Sequence, residues 1–214
     1  MHIGHDTCTE YHITDGYGNS NFIEQITEEK DMGVYITAYL KPSTQCVRAA
    51  AKARPVMGMV RRNFRRLDKE DFLLIYKKYI RPHMEYCVQA WSPYLKKVIE
   101  CLEKVQRSAT KMVHEFCHLS YEQRLRNLEM TTLRERRNKG DLIETLEIMT
   151  GKESVDRSQF FQLSTREYQL RGHTMKLSKQ RTSLDVRKYS ISQRVVQEWN
   201  KLSQDVVEEL KSPC

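Results

Sequence analysis

The sequence predicts an α+β fold, predominantly α. A small N-terminal antiparallel β sheet is expected over about residues 1–39, a helical bundle over about 43–150, and an irregular and helical C-terminal region over 151–214. Three observations predict it. β-favouring runs broken by glycine-rich turns fill the first part of the chain. Apolar residues at helical spacing persist from Pro42 to Met149. Past Gly151 that pattern lapses until a last helical stretch near the C-terminus.

In the β region, Tyr11-His12-Ile13 and Phe22-Ile23-Glu24-Gln25-Ile26 flank the turn-rich Asp15-Gly16-Tyr17-Gly18-Asn19, a hairpin signal. Val34-Tyr35-Ile36 follows the turn Lys30-Asp31-Met32-Gly33 as a third strand, and His2-Ile3 reads as a strand that begins at Met1. Such a small sheet needs cover on one face.

From Pro42, the residues Val47, Ala50, Ala51, Met57, Val60, Phe64 and Leu67 form one face of a helix that starts near Ser43 or Thr44 as N-cap. Pro55 lies inside it. An interior proline removes a backbone bond and crowds the preceding turn, at about 3 kcal/mol, so a kink or two helices meeting there are expected. Asp68, with Asp71 three residues on, caps a helix carrying Phe72, Ile75, Tyr76, Tyr79 and Ile80, which Pro82 interrupts or bends. The strongest helical pattern runs from Leu95 to Phe116 through Val98, Leu102, Val105, Ala109 and Met112, about six turns. Ser120 starts a short helix through Leu125 and Leu128. Thr131 or Thr132 caps another through Leu133 and Leu146, weakened by Gly140 and stopped by Gly151. Residues 152–190 read as loop with short elements, and one last helix runs from about Ser192 to Val206.

The net charge of +8 is unevenly spread. Residues 1–31 hold seven acids against Lys30, net −6, while the remainder holds 35 basic and 21 acidic residues, net +14. A basic body suits a polyanion such as nucleic acid, and a solvated basic surface explains it equally. The densest basic run is acid-free from Asp31 to Asp68. It contains Arg48, Lys52, Arg54, Arg61, Arg62, Arg65 and Arg66, the candidate nucleic-acid-binding residues, because guanidinium groups at helical spacing reach successive phosphates. Tyr76, Tyr79, Tyr86, Trp91 and Tyr94 offer rings for base stacking, but beside Ile75 and Ile80 they read mostly as core.

Other chemistries lack their residues. His2, His5 and Cys8, and His114 with Cys117 and His118, do not supply the four ligands of a structural zinc at a known spacing. No G-x-S-x-G, H-E-x-x-H or P-loop is present, and Glu85 beside His83 and Cys87 is explained by packing around Pro82 and Trp91. A polymerase holds two metal ions with clustered carboxylates, and no Asp-Asp pair on a strand-turn-strand occurs. No catalytic residue, metal or cofactor is therefore assigned. Six cysteines without a CxxC pair, the polar start Met1-His2-Ile3-Gly4-His5-Asp6 and the lack of a span-length apolar run lead us to expect a cytoplasmic or nuclear chain with reduced thiols, no membrane segment and an exposed Cys214.

One resemblance organises these readings. "IRPHMEYCVQAWSPYLKK" resembles the segment just past the polymerase core in reverse transcriptases of LINE-type (non-LTR) retrotransposons. "MHIGH" resembles the strand after that family's catalytic palm motifs, and "EEKDMGVYI" its E-K-D-L-G-V strand. Residues 49–113, from "AAAKARPVMGMVRRNFRRLDKEDF" through "KVQRSATKMV", resemble its thumb-like helices. "HLSYEQRLRNLEMTTLRERRNKGDLIETLEIM" and "SQRVVQEWNKLSQDVV" resemble its C-terminal region. The resemblance implies a β remnant of the palm edge over 1–39, a thumb-like helical domain over 40–150 and a C-terminal region over 151–214. It implies weak contact with RNA or DNA template and primer. The family's fingers, active-site aspartates and endonuclease domain are absent, so the chain is expected to be inactive alone, with an N-terminal sheet edge open for association. Pro55, His114-Glu115 in place of a Pro-Gly turn, and Ser203 in place of a proline depart from the family pattern and suit a decayed genomic copy. A co-opted nucleic-acid-binding module and an interaction protein without activity are the alternatives.

Overall fold

The computed structural model describes residue 3 and residues 10–164 and 172–209. The strand expected from His2, the His2, His5 and Cys8 spacing, and Cys214 lie outside the described residues. The fold is α+β and mainly α, as its hydrophobic pattern predicts.

The β structure is two separate antiparallel hairpins rather than one three-stranded sheet. In the first, β1 (His12–Thr14) pairs with β2 (Ser20–Phe22), with His12 opposite Phe22. The Asp15 side chain closes its turn by accepting the Tyr17 and Asn19 amides at 2.9 and 2.8 Å. In the second, β3 (Glu28–Asp31) pairs with β4 (Val34–Thr37), with Glu28 opposite Thr37. Its loop is Met32-Gly33 alone, at φ 43° and 84°. Positive φ at both positions is the type I′ geometry that matches strand twist in a two-residue loop.

α1 (Ser43–Asn63) is a single helix through Pro55, not two. Its buried stripe of Cys46, Ala49, Ala50, Ala53, Met57 and Val60 packs in the core, while Pro55 and Ala51 are exposed. The Ala51 carbonyl that loses its donor thus lies on the solvent side, where water can satisfy it. Pro42, not Ser43 or Thr44, holds the N-cap position, and no side chain caps it.

α2 (Lys69–Ile75), a π turn (Tyr76–Ile80) and α3 (Arg81–Glu85) run without a gap. Asp68 caps the start through the Asp71 amide at 2.8 Å. Phe72, Tyr76, Ile80 and Met84 are all fully buried, four residues apart. At about 100° per residue, a four-residue repeat drifts about 40° per step around an α-helix. The wider π turn offsets that drift and keeps the four side chains on one face. It also places the Arg81 amide on the Tyr76 carbonyl just before Pro82, whose ring falls in the first turn of α3.

Tyr86 and Cys87 then turn the chain, Cys87 at φ 51°, into α4 (Val88–Trp91). α5 (Lys96–Thr110) is shorter than the apolar pattern suggests. Val113 leaves the helix to bridge Leu67 in extended geometry, yet it remains fully buried, so periodicity continues where the helix does not. α6 (Tyr121–Asn127) and α7 (Leu133–Thr150) both begin with a reciprocal capping box, at Ser120 with Gln123 and at Thr132 with Glu135. Gly151, at φ 75°, ends α7.

The C-terminal region contains α8 (Arg157–Phe160), α9 (Asp185–Lys188), α10 (Ile191–Arg194), α11 (Val196–Trp199) and α12 (Gln204–Glu209). The last helix is therefore three short ones. Past Trp199 the Asn200 side chain pairs with both backbone groups of Leu177 at 2.9 Å, and the Lys176 ammonium takes the Asn200 carbonyl at 2.7 Å. These bonds hold the turn that separates α11 from α12.

Two apolar clusters hold the molecule together. The larger joins Val34 of β4 to α1–α5, Leu128 and Leu133. The smaller joins Leu146 and Met149 of α7 to Phe161, Leu177, Val195, Val196 and Trp199. α7 contributes to both.

Candidate nucleic-acid interface

The buried stripe of α1 fixes where its cations point. Arg48 and Arg62 fall opposite that stripe at about 100° per residue, and Lys52, Arg54 and Arg61 fall along its flanks. All five are exposed. α1 ends at Asn63, so Arg65 and Arg66 are not helical: they stand, exposed, on the bend that connects α1 to α2.

The two ends of α1 differ electrostatically. At the N-terminal end Arg48 is engaged, forming an ion pair with Glu28 of β3 and lying over the Tyr35 ring at 4.1 Å. Lys52 approaches the same ring at 5.8 Å. At the C-terminal end, Arg61 donates to the Ser108 carbonyl of α5 at 3.2 Å. Arg62, Arg65 and Arg66 make no ion pair among the described residues. Cations at a helix C-terminus also favour its dipole, so part of their benefit is local to α1.

Folding gathers further charge at this end. Leu67 bridges Val113 in parallel, and Arg65 and Lys111 stand two residues before these partners. Lys104 and Lys111 are exposed on and just past α5. Ser108, whose carbonyl Arg61 contacts, lies one turn past Lys104 and three residues before Lys111, so the α1–α5 packing carries both lysines toward this end of α1. Arg107, on the same face, is committed to Glu100 at 2.6 Å, a bond that holds the Glu100 carboxyl below its ordinary pKa. The patch is bounded by Asp68, Glu70 and Asp71 at the start of α2.

The aromatic residues divide. Tyr76 and Trp91 are core, with the Tyr76 hydroxyl donating to Gln106 at 2.7 Å and the Trp91 indole to the Tyr86 carbonyl at 2.8 Å. Tyr94 stacks on Tyr189 with centroids 4.1 Å apart. Tyr79 and Tyr86 are exposed, and Tyr86 donates to the Met32 carbonyl at 2.9 Å. Phe64 is exposed between Arg62 and Arg65 and was not among the sequence-derived stacking candidates.

No group of His, Cys, Asp or Glu suited to a metal ion occurs among the described residues, and none of their helices is long and apolar enough to cross a membrane. No protein-family model, curated protein or solved structure matches the chain.

Proposed function

We propose that this chain is a thumb-like and C-terminal segment of a LINE-type reverse transcriptase that binds single-stranded RNA or DNA without catalysing polymerisation. The observation that carries the binding reading is the cluster at the C-terminal end of α1. Arg62, Arg65 and Arg66 are exposed and, among the described residues, free of ion pairs, at the same end of the α1–α5 pair as Arg61 and Lys111. Exposed guanidiniums without carboxylate partners can exchange counterions for phosphates at little cost. The family resemblance of residues 49–113 supports the assignment to a thumb.

Binding of a fluorescent single-stranded RNA, titrated against salt, tests it. Replacing Arg61, Arg62, Arg65 and Arg66 by Gln is expected to reduce the slope of log Kobs against log salt by roughly 3, at about 0.7 per lost contact. An unchanged slope would reduce the patch to a solvated face. Primer extension with Mg²⁺ is expected to give no product, and robust synthesis would overturn the non-catalytic part. The hairpin β1–β2, which exposes Ile13 and Phe22, supports a second reading as an interaction module. Salt-insensitive self-association abolished by Ile13→Lys would favour it.

A further inference from the structure

A cavity of about 230 Å³ lies between α7, the Ser92-Pro93-Tyr94 loop and the α9–α11 segment. Of the three arginines that line it, two stand in contrasting states. Arg194 is fully engaged: it grips Asp141 through Nε and Nη2 at 2.8 and 2.7 Å, and it donates to the Tyr189 and Gln89 carbonyls at 3.0 Å. Arg137 is 4% exposed, and neither Nη1 nor Nη2 reaches an acceptor among the described residues.

The acids whose fields act on Arg137 are committed elsewhere. Glu103 accepts the Tyr121 hydroxyl at 2.9 Å and the Arg134 amide at 3.0 Å. Glu85 takes a two-pronged contact from Arg136 at 2.5 and 3.1 Å, and Asp141 is held by Arg194. Glu198, the other acid lining the cavity, pairs with Lys201 at 2.8 Å. Burial pushes the Arg137 pKa down, opposed chiefly by Glu103, yet a guanidinium stays charged at neutral pH. A buried cation with idle donors is costly unless an anion answers it. Arg134, one turn before Arg137 on α7, and Asn138, the residue after it, are both exposed and add a second charge and an amide donor at the cavity wall.

We propose that this cavity binds a small oxyanion, a carboxylate or a phosphate, with Arg137 as its two-pronged anchor. The planar fork of the guanidinium matches two oxygens of either group, and the volume suits an ion or a short-chain acid better than a nucleotide. The site is remote in sequence from the arginines of α1 and does not rest on the nucleic-acid reading.

Thermal unfolding of the full chain at constant ionic strength tests it, with sodium phosphate, sodium succinate or sodium chloride as probes. A saturable Tm rise of about 5–10 °C is expected at roughly a hundredfold excess over Kd in phosphate, succinate or both. The probe that produces it identifies the source of the oxyanion. Arg137→Met, close in shape and uncharged, is expected to abolish the rise. Asn138→Trp, at an exposed position on the cavity wall, is expected to weaken it without disturbing the core, and it carries the test if Arg137→Met does not fold. Equal Tm in all three salts would overturn the proposal. So would a rise that survives in both variants.

Discussion

The two N-terminal hairpins are similar in length and pairing, yet one is seated and the other is not. In β1–β2, every residue from Glu10 to Thr27 is exposed except Asp15, and the turn is held by Asp15 itself. In β3–β4, Val34 enters the main core, the Tyr35 amide donates to buried Gln45 of α1 at 3.0 Å, and Tyr86 caps the Met32 carbonyl. Strand pairing alone is marginal for two strands. The difference shows that the second hairpin owes its place to α1 and to the turn after α3, not to its ladder.

The same substitution in each turn should separate them. Both Gly18 and Gly33 have positive φ, but a Cβ at Gly33 would lie 3.3 Å from the Tyr86 ring, whereas one at Gly18 meets nothing. Gly33→Val is expected to lower the global unfolding free energy by about 2–3 kcal/mol, from left-handed strain and the displaced ring. Urea denaturation measures it, and a loss under about 1 kcal/mol would mean that the hairpin is not seated as described. Gly18→Val should change the same quantity by no more than about 0.5 kcal/mol, because its strain falls on a segment that buries almost nothing. A large effect there would erase the contrast.

The smallest effect is a matter of pH. Bonds from Asn19, led by its side chain, hold the Asp15 carboxyl below its ordinary pKa. A group depressed on folding contributes stability above its unfolded pKa and loses it as pH falls through the folded value. The Tyr17 and Asn19 amide resonances should therefore shift on acidification below about pH 4, while near-UV signals of the core tryptophans do not follow that step. Turn resonances that stay fixed while the carboxyl titrates would refute the role given to Asp15.

Legibility from sequence followed the same contrast. Helices with apolar stripes and cap residues were readable: Asp68, Ser120, Thr132 and Gly151 mark boundaries that the structure keeps. The residue pattern did not show β3, which only the resemblance of "EEKDMGVYI" to a strand suggested, because Glu-Glu-Lys-Asp carries no alternation and forms only through its turn and its partner strand. Pro55 suggested a break that its exposed position makes unnecessary. The end of α5 was overrun because Val113 and Phe116 keep packing after the helix stops. At the candidate interface, the identity of the arginines was legible but their grouping with Lys111 was not, since it depends on the Leu67–Val113 bridge. Arg137 is the extreme case. Amid Arg134, Arg136 and Lys139 it looks like any solvated cation, and only tertiary packing isolates it.

The π turn has a consequence for chain length. An i→i+5 turn accommodates one residue more than the α-helical path requires. Removing solvent-facing Lys78 would convert the buried four-residue repeat into steps of four, three and four, the spacing of an ordinary α-helical stripe. The helix from Lys69 to Glu85 can thus lose one codon at Lys78 and keep both its faces, whereas the same loss inside α1 would rotate half of its buried stripe into water. Thermal melts of the two single-residue deletions distinguish these cases: a Lys78 deletion as damaging as one in α1 would contradict this reading of the turn.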